Sequence, residues 1–264
     1  MLDKIVTQKR EEVAQRKKAL PLSHLKERIA QQKPPLDFAS ALRGNYIHLI
    51  AEIKQASPSR GILRPNLNPA KLAKTYVKGG AAAISVLTEA NYFKGTIEHL
   101  AAVRQAVELP LLRKDFIFDP YQIYESCAYG ADALLLIAAI LSQEQLEKLL
   151  SLSHSLGLRC LVEVHNEDAV ERALLSGAEI IGINNRDLST FIININTTRR
   201  LRPLIPQTQI VVSESGIKSR KDIEKLKGWG VNAILVGEAL VTADNVLTQM
   251  RDFIELSQNI GFKS

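Results

Sequence analysis

The feature that most restricts the fold of this chain is a repeat of short apolar runs, each preceded by a glycine. Gly80-Ala81 precedes AAISVLTE, Gly130-Ala131 precedes DALLLIAAI, Gly177-Ala178 precedes EIIGINNRD, and Gly230 precedes VNAILVGEAL. The runs are rich in Val, Ile and Leu and do not alternate in polarity, which is typical of parallel strands that are covered on both faces. A glycine before each run fits the left-handed residue that ends a helix. The pattern therefore predicts helices that alternate with buried parallel strands.

Counting every such run gives eight predicted strands. They cover residues 48–55, 81–89, 109–117, 133–140, 159–165, 180–187, 209–216 and 233–240. Stretches of helical period separate them, such as SQEQLEKLLSLSHSLG. Eight strand–helix units in about 220 residues predict an α/β fold, a closed (β/α)8 TIM barrel. A doubly wound open sheet is the alternative, but no GxGxxG motif follows the first strand.

The beginning of the chain lies outside this repeat. The apolar side chains of residues 2–18 fall on one helical face, which predicts an additional amphipathic helix. Pro34-Pro35 interrupts the chain before the first strand. We expect one domain, with an N-terminal helical extension over 1–45 and the barrel over 46–264. The extension is expected to pack on the barrel and close one of its ends.

Composition and charge narrow the classes of partner. The net charge of +6 is compatible with nucleic acid, an anionic surface or a small anionic substrate. The basic residues are scattered and no basic stretch is interleaved with aromatic residues, so we expect a small anionic substrate and no nucleic acid. No apolar run approaches the ~20 residues of a membrane span, so no membrane is expected either.

The compartment is inferred from the cysteines and the first residues. Cys127 and Cys160 are far apart and have no metal-ligand spacing, so we expect buried thiols and no bound metal. The first 20 residues have no apolar core like that of a secretory signal, and the acidic residues Asp3, Glu11 and Glu12 argue against a transit peptide. These features indicate a cytoplasmic protein.

Charged residues in the first and third predicted strands indicate a site. In a TIM barrel the chemistry lies at the C-terminal ends of the strands, and burial of an unpaired charge is costly. Residues two apart share a face, so Glu52 and Lys54 of HLIAEIKQ are expected to point into the barrel mouth. A purely structural ion pair is the alternative. Lys114 of LLRKDF points inward in the same way, whereas Arg113 and Asp115 are expected to pair at the rim.

The fifth and sixth strands add further candidates. Glu163 of LVEVH lies between apolar neighbours, so we expect a raised pKa and a role as general base, with His165 nearer the rim. Asn184 and Arg186 of INNRDL point inward, and a guanidinium at this position suits bidentate binding of a carboxylate.

The last two strands end in motifs that favour anion binding. In SESG and LVGE, Gly216 and Gly237 would let backbone N–H groups approach an anion at the start of the following helix. Loops after strands seven and eight form the phosphate site of many TIM barrels. We expect the N–H group of Glu238 to face the anion and its side chain to turn away.

With these residues in place, the chain resembles the indole-3-glycerol phosphate synthase family along essentially its whole length. The resemblance rests on AEIKQASPSRG, SVLTEANYFKG, LPLLRKDFIFDPYQIYE, LVEVHN, IGINNRDL, VSESGI and AILVGEAL, in this order. The N-terminal IVTQKREEVAQRK is similar to the leading helix of the family. One departure is Lys94-Gly95-Thr96, where the family more often has Gly-Gly-Ser, so the shape of this loop is left open.

The resemblance implies ring closure, decarboxylation and dehydration of 1-(o-carboxyphenylamino)-1-deoxyribulose 5-phosphate, without a cofactor. It makes Lys114 the general acid, with a pKa expected to be lowered by partial burial, and Glu163 the general base. Phe116 and Leu235 are expected to form the slot for the aromatic ring. The further catalytic residues are Lys54, Glu52, Asn184 and Ser215; the substrate-binding residues include Ser57, Pro58, Ser59 and Arg186; and the phosphate-binding residues are Lys54, Ser215, Gly216, Gly237 and Glu238.

Other functions remain open at this stage. Another phosphosugar isomerase or a lysine Schiff-base aldolase would also use inward lysines in a barrel. A basic protein that binds nucleic acid or an anionic surface is the non-enzymatic alternative, but surface charge does not explain inward-pointing Glu52, Lys54, Lys114 and Glu163. We expect a monomer, which could associate with other tryptophan-pathway enzymes.

Overall fold

The computed structural model describes residues 2–187 and 190–259, with side chains as far as residue 254. The strands are β1 (His48–Ile53), β2 (Ala56–Ser57), β3 (Gly61–Ile62), β4 (Ala83–Leu87), β5 (Leu111–Lys114), β6 (Ala133–Ile137), β7 (Arg159–Val164), β8 (Ile180–Asn184), β9 (Ile210–Glu214) and β10 (Ala233–Val236). The helices are α1 (Leu2–Ala19), α2 (Leu22–Ala30), α3 (Pro69–Lys78), α4 (Ile97–Ala106), α5 (Pro120–Ala128), α6 (Gln143–Ser155), α7 (Glu167–Leu175), α8 (Asn196–Leu201), α9 (Arg220–Gly228), α10 (Glu238–Val241) and α11 (Val246–Asn259).

Eight of these strands form a closed parallel barrel, which confirms the predicted fold. The order around the barrel is β1-β10-β9-β8-β7-β6-β5-β4, and β1 closes the ring by pairing with both β4 and β10. Strands β2 and β3 form a separate two-stranded hairpin after β1 that the sequence did not predict. The barrel strands are shorter than the apolar runs, because the chain leaves the sheet for loops at the mouth. In the last run, residues 238–241 form α10 instead of strand.

Alternation along the strands separates two apolar cores. Inward side chains such as Ile50, Leu112 and Leu161 fill the barrel, whereas outward side chains such as Ala51 and Ile53 pack against the helices. Layers of branched side chains inside the ring and helices outside it are the usual way in which this fold buries both faces of its strands.

The four glycines that were predicted to end helices do so. Gly80, Gly130, Gly177 and Gly230 have φ values of 84°, 83°, 76° and 78°. These left-handed conformations favour glycine, and each turns the chain from a helix into the next strand. Within the described ranges, none of the helices combines the length and the apolar character that a membrane span requires.

The N-terminal extension contacts both ends of the barrel. The expected helix is α1; α2, which follows it, was not predicted. Phe38 and Leu42 are fully buried in the same cluster as the inward barrel side chains. The N–H group of Leu36 donates to the carboxylate of Asp132, which directly precedes β6 (N···O 2.6 Å). Residues 36–42 therefore close the N-terminal end of the barrel, as expected of the extension.

Helix α1 is joined to the barrel through buried charges. Lys9 is 1% exposed, and its Nζ lies 3.1 Å from Oδ1 of Asp115. Arg113 is fully buried and lies 3.1 Å from Asp115 and 2.9 Å from Glu125, which also pairs with Arg16 of α1 at 3.0 Å. Arg113 and Asp115 therefore pair with each other as expected, but the expected location at the rim is wrong. Their outward face is covered by α1 and α5, so the pair lies in the interior and not at the rim.

Candidate functional site

A cavity of about 630 Å³ opens at the C-terminal ends of the barrel strands. Every residue that the sequence placed in the site lines it. These residues are Glu52, Lys54, Ser57, Pro58, Ser59, Lys114, Phe116, Glu163, Asn184, Arg186, Ser215, Gly216, Leu235, Gly237 and Glu238. Side chains from separate strands thus converge on one mouth, because the carboxyl ends of parallel strands meet there.

The centre of the cavity is a lysine between two carboxylates. Nζ of Lys114, at the end of β5, lies 3.2 Å from Oε2 of Glu163 on β7 and 2.7 Å from Oε2 of Glu214 on β9. All three side chains are largely shielded from solvent, with side-chain exposures of 15%, 3% and 2%. His165 lies beside them, with Nε2 3.3 Å from Oε1 of Glu163. At this separation the lysine and either carboxylate can exchange a proton directly.

These contacts reverse the expected pKa shifts. Burial alone would lower the pKa of Lys114, but the charges of Glu214, Glu163 and Glu52 outweigh it and raise that pKa. Burial alone would raise the pKa of Glu163, but Lys114, His165 and a hydrogen bond from Asn184 lower it. Both expectations from the sequence are therefore wrong. They considered burial of each group by itself, whereas close opposite charges determine the shifts here.

Glu214 is a residue of this centre that the sequence interpretation missed. Burial, together with the nearby carboxylates of Glu163 and Glu52, raises its pKa to about 7 against the lowering effect of Lys114. A signal was present in the sequence. Glu214 lies two residues after Val212 and therefore shares its inward face on β9, just as Glu163 shares the inward face of Leu161 on β7. Among these groups, Glu214 is the one suited to gain and lose a proton near neutral pH.

A second ion pair borders the centre. Nζ of Lys54 lies 2.8 Å from Oε1 of Glu52, at the end of β1. The carboxylate of Glu52 lies directly over Gly237, where an added Cβ would be 3.0 Å from Cδ of Glu52. The backbone carbonyl of Glu52 accepts a hydrogen bond from the buried hydroxyl of Tyr76 on α3 (3.0 Å). The pair has the inward orientation that alternation along β1 predicts.

The turn after β9 has an unusual backbone. Ser215 has a φ of 66° and Gly216 one of 80°, so two consecutive residues are left-handed. Such a conformation is strained for serine. Buried Asn185 contacts this turn: its Nδ2 donates to the carbonyl of Ser215 (3.0 Å) and to Oγ of Ser213 (3.0 Å). Ser215 and Gly216 both line the cavity at the end of β9.

At the end of β10, the side chain of Glu238 turns away from the start of α10, as expected. Helix α10 begins at Glu238 with Gly237 as its N-cap residue. The side chain of Glu238 turns to Arg60, a residue of the loop after β1, with an O–N distance of 2.7 Å. Its carboxylate is therefore held by a cation, and the short helix begins beside the cavity.

The rest of the cavity combines the guanidinium of Arg186 and other polar groups with apolar side chains. The N–H group of Arg186 donates to Oδ1 of Asn184 (3.0 Å), and its Nη1 lies 3.5 Å from Oγ of Ser59. Phe116 and Leu235 line the wall, as expected. Apolar lining residues that the sequence interpretation did not identify are Leu2 and Ile5 of α1, Leu87, Phe93, Leu135 and Ile137. An aromatic ring can therefore contact carbon on several sides.

The departure from the family at residues 94–96 lies in the loop after β4. Lys94 has a φ of 56°, a conformation that glycine adopts without strain. A Cβ on Gly95 would collide with the carbonyl of Leu87, so glycine is required there. Thr96 accepts a hydrogen bond from the N–H group of His99 and caps α4, as serine would. Phe93 of this loop lines the cavity.

Comparisons with known proteins give one consistent result. A family model described as indole-3-glycerol phosphate synthase matches residues 2–253. A relative of the same description from Dehalococcoides mccartyi is 53% identical over 258 residues and aligns with 96% of this chain and 100% of its own. Another, from Roseiflexus sp. strain RS-1, is 51% identical over 261 residues, with 96% and 97% covered. Thiamine phosphate pyrophosphorylase from Pyrococcus furiosus shares the fold, with a TM-score of 0.64, 16% identity, and coverage of 84% of this chain and 100% of its own.

Proposed function

Because the chain belongs to the indole-3-glycerol phosphate synthase family, we propose that the cavity at the barrel mouth is its active site. The family activity is that of a carboxy-lyase, which closes the pyrrole ring, releases carbon dioxide and eliminates water to give indole-3-glycerol phosphate. The single observation that supports the location is the ammonium group of Lys114 between the carboxylates of Glu163 and Glu214, inside a cavity with apolar walls.

Lys114 acts as the general acid in this proposal. Ring closure requires a proton at the ketone oxygen of the sugar when the ring carbon attacks. The three surrounding carboxylates keep the pKa of Lys114 raised, so the lysine carries its proton when the substrate arrives. An anionic substrate beside the centre adds negative charge, and protonation of Glu214, with its pKa of about 7, removes one negative charge from the centre. Glu214 can also return a proton to Lys114 through their direct contact.

Glu163 acts as the general base of the dehydration step. Its pKa is lowered, so the carboxylate is ionised at neutral pH and can accept a proton. A hydrogen bond from Asn184 orients it, and His165 lies beside the oxygen that does not contact the lysine. Decarboxylation between the two steps needs no protein electron acceptor, because the cationic ring intermediate accepts the electron pair.

The remaining residues bind the two ends of the substrate. The turn at Ser215 and Gly216, Lys54, and the start of α10 at Gly237 and Glu238 bind the phosphate through N–H groups and charge. Arg186 binds the carboxylate of the anthranilate portion, with Ser57, Pro58 and Ser59 beside it. Phe116 and Leu235 contact the aromatic ring. Binding at both ends bends the flexible substrate towards the geometry of ring closure.

The contacts of the lysines argue against a Schiff-base aldolase. That chemistry needs a neutral amine and hence a lysine with a lowered pKa. Here the pKa of Lys114 is raised and Lys54 is paired with Glu52. We propose further that the enzyme works as a monomer in the cytoplasm, a compartment that suits its two free, buried cysteines.

A direct assay tests the proposal. Purified protein is incubated with 1-(o-carboxyphenylamino)-1-deoxyribulose 5-phosphate, and formation of the indole product is followed by its fluorescence. We expect turnover by the wild type and a loss of at least ~10² in kcat for Lys114→Ala. Lys148→Ala, which removes an exposed surface lysine paired with Glu144, is the control and should retain full activity. Turnover of the Lys114→Ala variant at the wild-type rate would remove Lys114 from the mechanism.

A further inference from the structure

Gly182 lies at the middle of β8, among the strands that carry the catalytic groups. In the barrel register it pairs with Glu163 of β7 on one side and with Val212 of β9 on the other. It is buried and has an ordinary strand conformation, so it does not need the conformational freedom of glycine. Glycine inside a strand weakens the strand and often marks a close approach by another group. Glycine is therefore expected here because a neighbouring group occupies the space that a side chain would need.

The space at Gly182 is occupied by a catalytic carboxylate. A Cβ added to Gly182 would overlap Oε1 of Glu214 and would also lie 3.2 Å from Cδ1 and 3.4 Å from Cγ of Leu161. Leu161 is fully buried in the barrel interior and Glu214 is 1% exposed, so neither can retreat into solvent. An alanine methyl group can be accommodated only if the carboxylate of Glu214 turns away from β8.

The two oxygens of Glu214 have different surroundings. Oε2 accepts a hydrogen bond from Nζ of Lys114 at 2.7 Å. Oε1 is buried and has no hydrogen-bond partner among the residues that the structure describes. No donor on that side therefore fixes the rotation of the carboxylate, and the shape of the strand surface must do so.

We propose that Gly182 is a positioning residue: its missing side chain provides the space for Oε1 of Glu214 and thereby keeps Oε2 on Lys114. The inference rests on the proposed function, in which Lys114 and Glu214 exchange a proton. A side chain at position 182 would rotate the carboxylate, lengthen its contact with the ammonium group and leave Lys114 paired with Glu163 alone.

Steady-state kinetics give the first test. Gly182→Ala should lower kcat by roughly 10- to 100-fold, the size of effect that a displacement of about 1 Å has on a catalytic group. KM should change less than about threefold, because the substrate-binding residues lie elsewhere. The pH dependence of kcat should shift, since the pKa of Glu214 depends on its distance from Lys114. A variant with a wild-type kcat and pH profile would overturn the proposal.

Thermal unfolding gives a second test that does not depend on activity. Gly182→Ala should lower the Tm of the wild type. In a Glu214→Ala background the carboxylate is gone, so the same substitution should leave the Tm unchanged or raise it, because alanine favours a strand more than glycine does. Gly228→Ala, in α9, is the control, because an added Cβ meets nothing within 4 Å there.

The outcomes separate the two proposals. An equal loss of Tm in both backgrounds would mean that the methyl group collides with something other than Glu214, and the positioning role would be refuted. If the wild type made no indole product, the proposed function would fail, whereas the change in Tm between backgrounds would still show whether the carboxylate occupies this space.

Discussion

Replacing Arg113 by methionine should destabilise the barrel more than any surface substitution. The guanidinium of Arg113 is fully buried between β5, α5 and the loop after β4. Its Nε donates to Oγ1 of Thr88, and its Nη1 donates to the carbonyl of Gln122 and the hydroxyl of Ser126, each at 3.1 Å. Its Nη2 pairs with the carboxylates described above. Methionine fills a similar volume but leaves all of these acceptors without their donor.

The size of the loss in unfolding free energy follows from the charges that remain after the substitution. Asp115 keeps Lys9 as a partner and Glu125 keeps Arg16, so neither carboxylate loses every cation. Each loses one buried ion pair, and removal of one partner from a buried ionic network costs ~3–5 kcal/mol. With a shift of ~2–4 °C per kcal/mol for a chain of this size, the Tm should fall by roughly 6–20 °C.

Circular dichroism during heating and during urea unfolding measures this loss. Lys17→Met is the matched control, because Lys17 also joins α1 to the α5 region, through Asp119 at 2.7 Å, but its side chain is 44% exposed. An exposed pair contributes about 0–1 kcal/mol, so the control should unfold close to the wild type. A loss below ~1 kcal/mol for Arg113→Met would refute the view that this network attaches α1 to the barrel.

Further substitutions test the site and its neighbouring loop. Glu163→Gln should allow ring closure but slow dehydration by ~10² or more. In stopped-flow experiments the substrate should disappear before indole fluorescence rises. If both signals changed together at the wild-type rate, the assignment of Glu163 as the base would be contradicted. Arg186→Lys should raise KM roughly tenfold, because the two-pronged guanidinium contact is lost; an unchanged KM would place the substrate carboxylate elsewhere. Because its pKa is raised, Glu214 keeps its proton in the folded chain between pH 4.5 and about 7, whereas the unfolded chain releases it. The free energy of unfolding that depends on this group therefore falls as the pH rises through that interval. Urea unfolding at pH 5 and at pH 8 should therefore show that the free energy of unfolding falls less between these pH values for Glu214→Gln than for the wild type. An equal fall for both proteins would argue against the raised pKa. Lys94→Gly should increase stability by up to ~1 kcal/mol, because φ at this position is 56°; destabilisation would show that the lysine side chain makes a compensating contact.

The barrel and the inward direction of several charged side chains could be predicted from sequence because both follow from local periodicity. Alternation along a strand decides which side chains point inward, and strand ends meet at one mouth whatever the packing outside. Glu52, Lys54, Lys114 and Glu163 were therefore placed correctly from spacing alone. Glu214 follows from the same rule and could have been found by applying it to β9.

The pKa shifts and the buried charges could not be predicted in this way. The shift of Lys114 depends on Glu163 and Glu214, which are 49 and 100 residues away in sequence. Arg113 and Asp115 were assigned to the rim because strand alternation gives a direction but does not reveal which helix covers it. The burial of Lys9 depends on how α1 packs against β5, and no local pattern in a charged helix specifies that contact.

The closure of the barrel base by residues 36–42 has a consequence for the order in which the molecule forms during synthesis. Phe38 and Leu42 precede the first strand, yet the cluster that buries them includes Ala233 and Leu235 of β10. Their burial therefore awaits a strand that is synthesised long after them. Until then the nascent chain must expose these side chains, which makes the early translation intermediate a substrate for chaperones and prone to association.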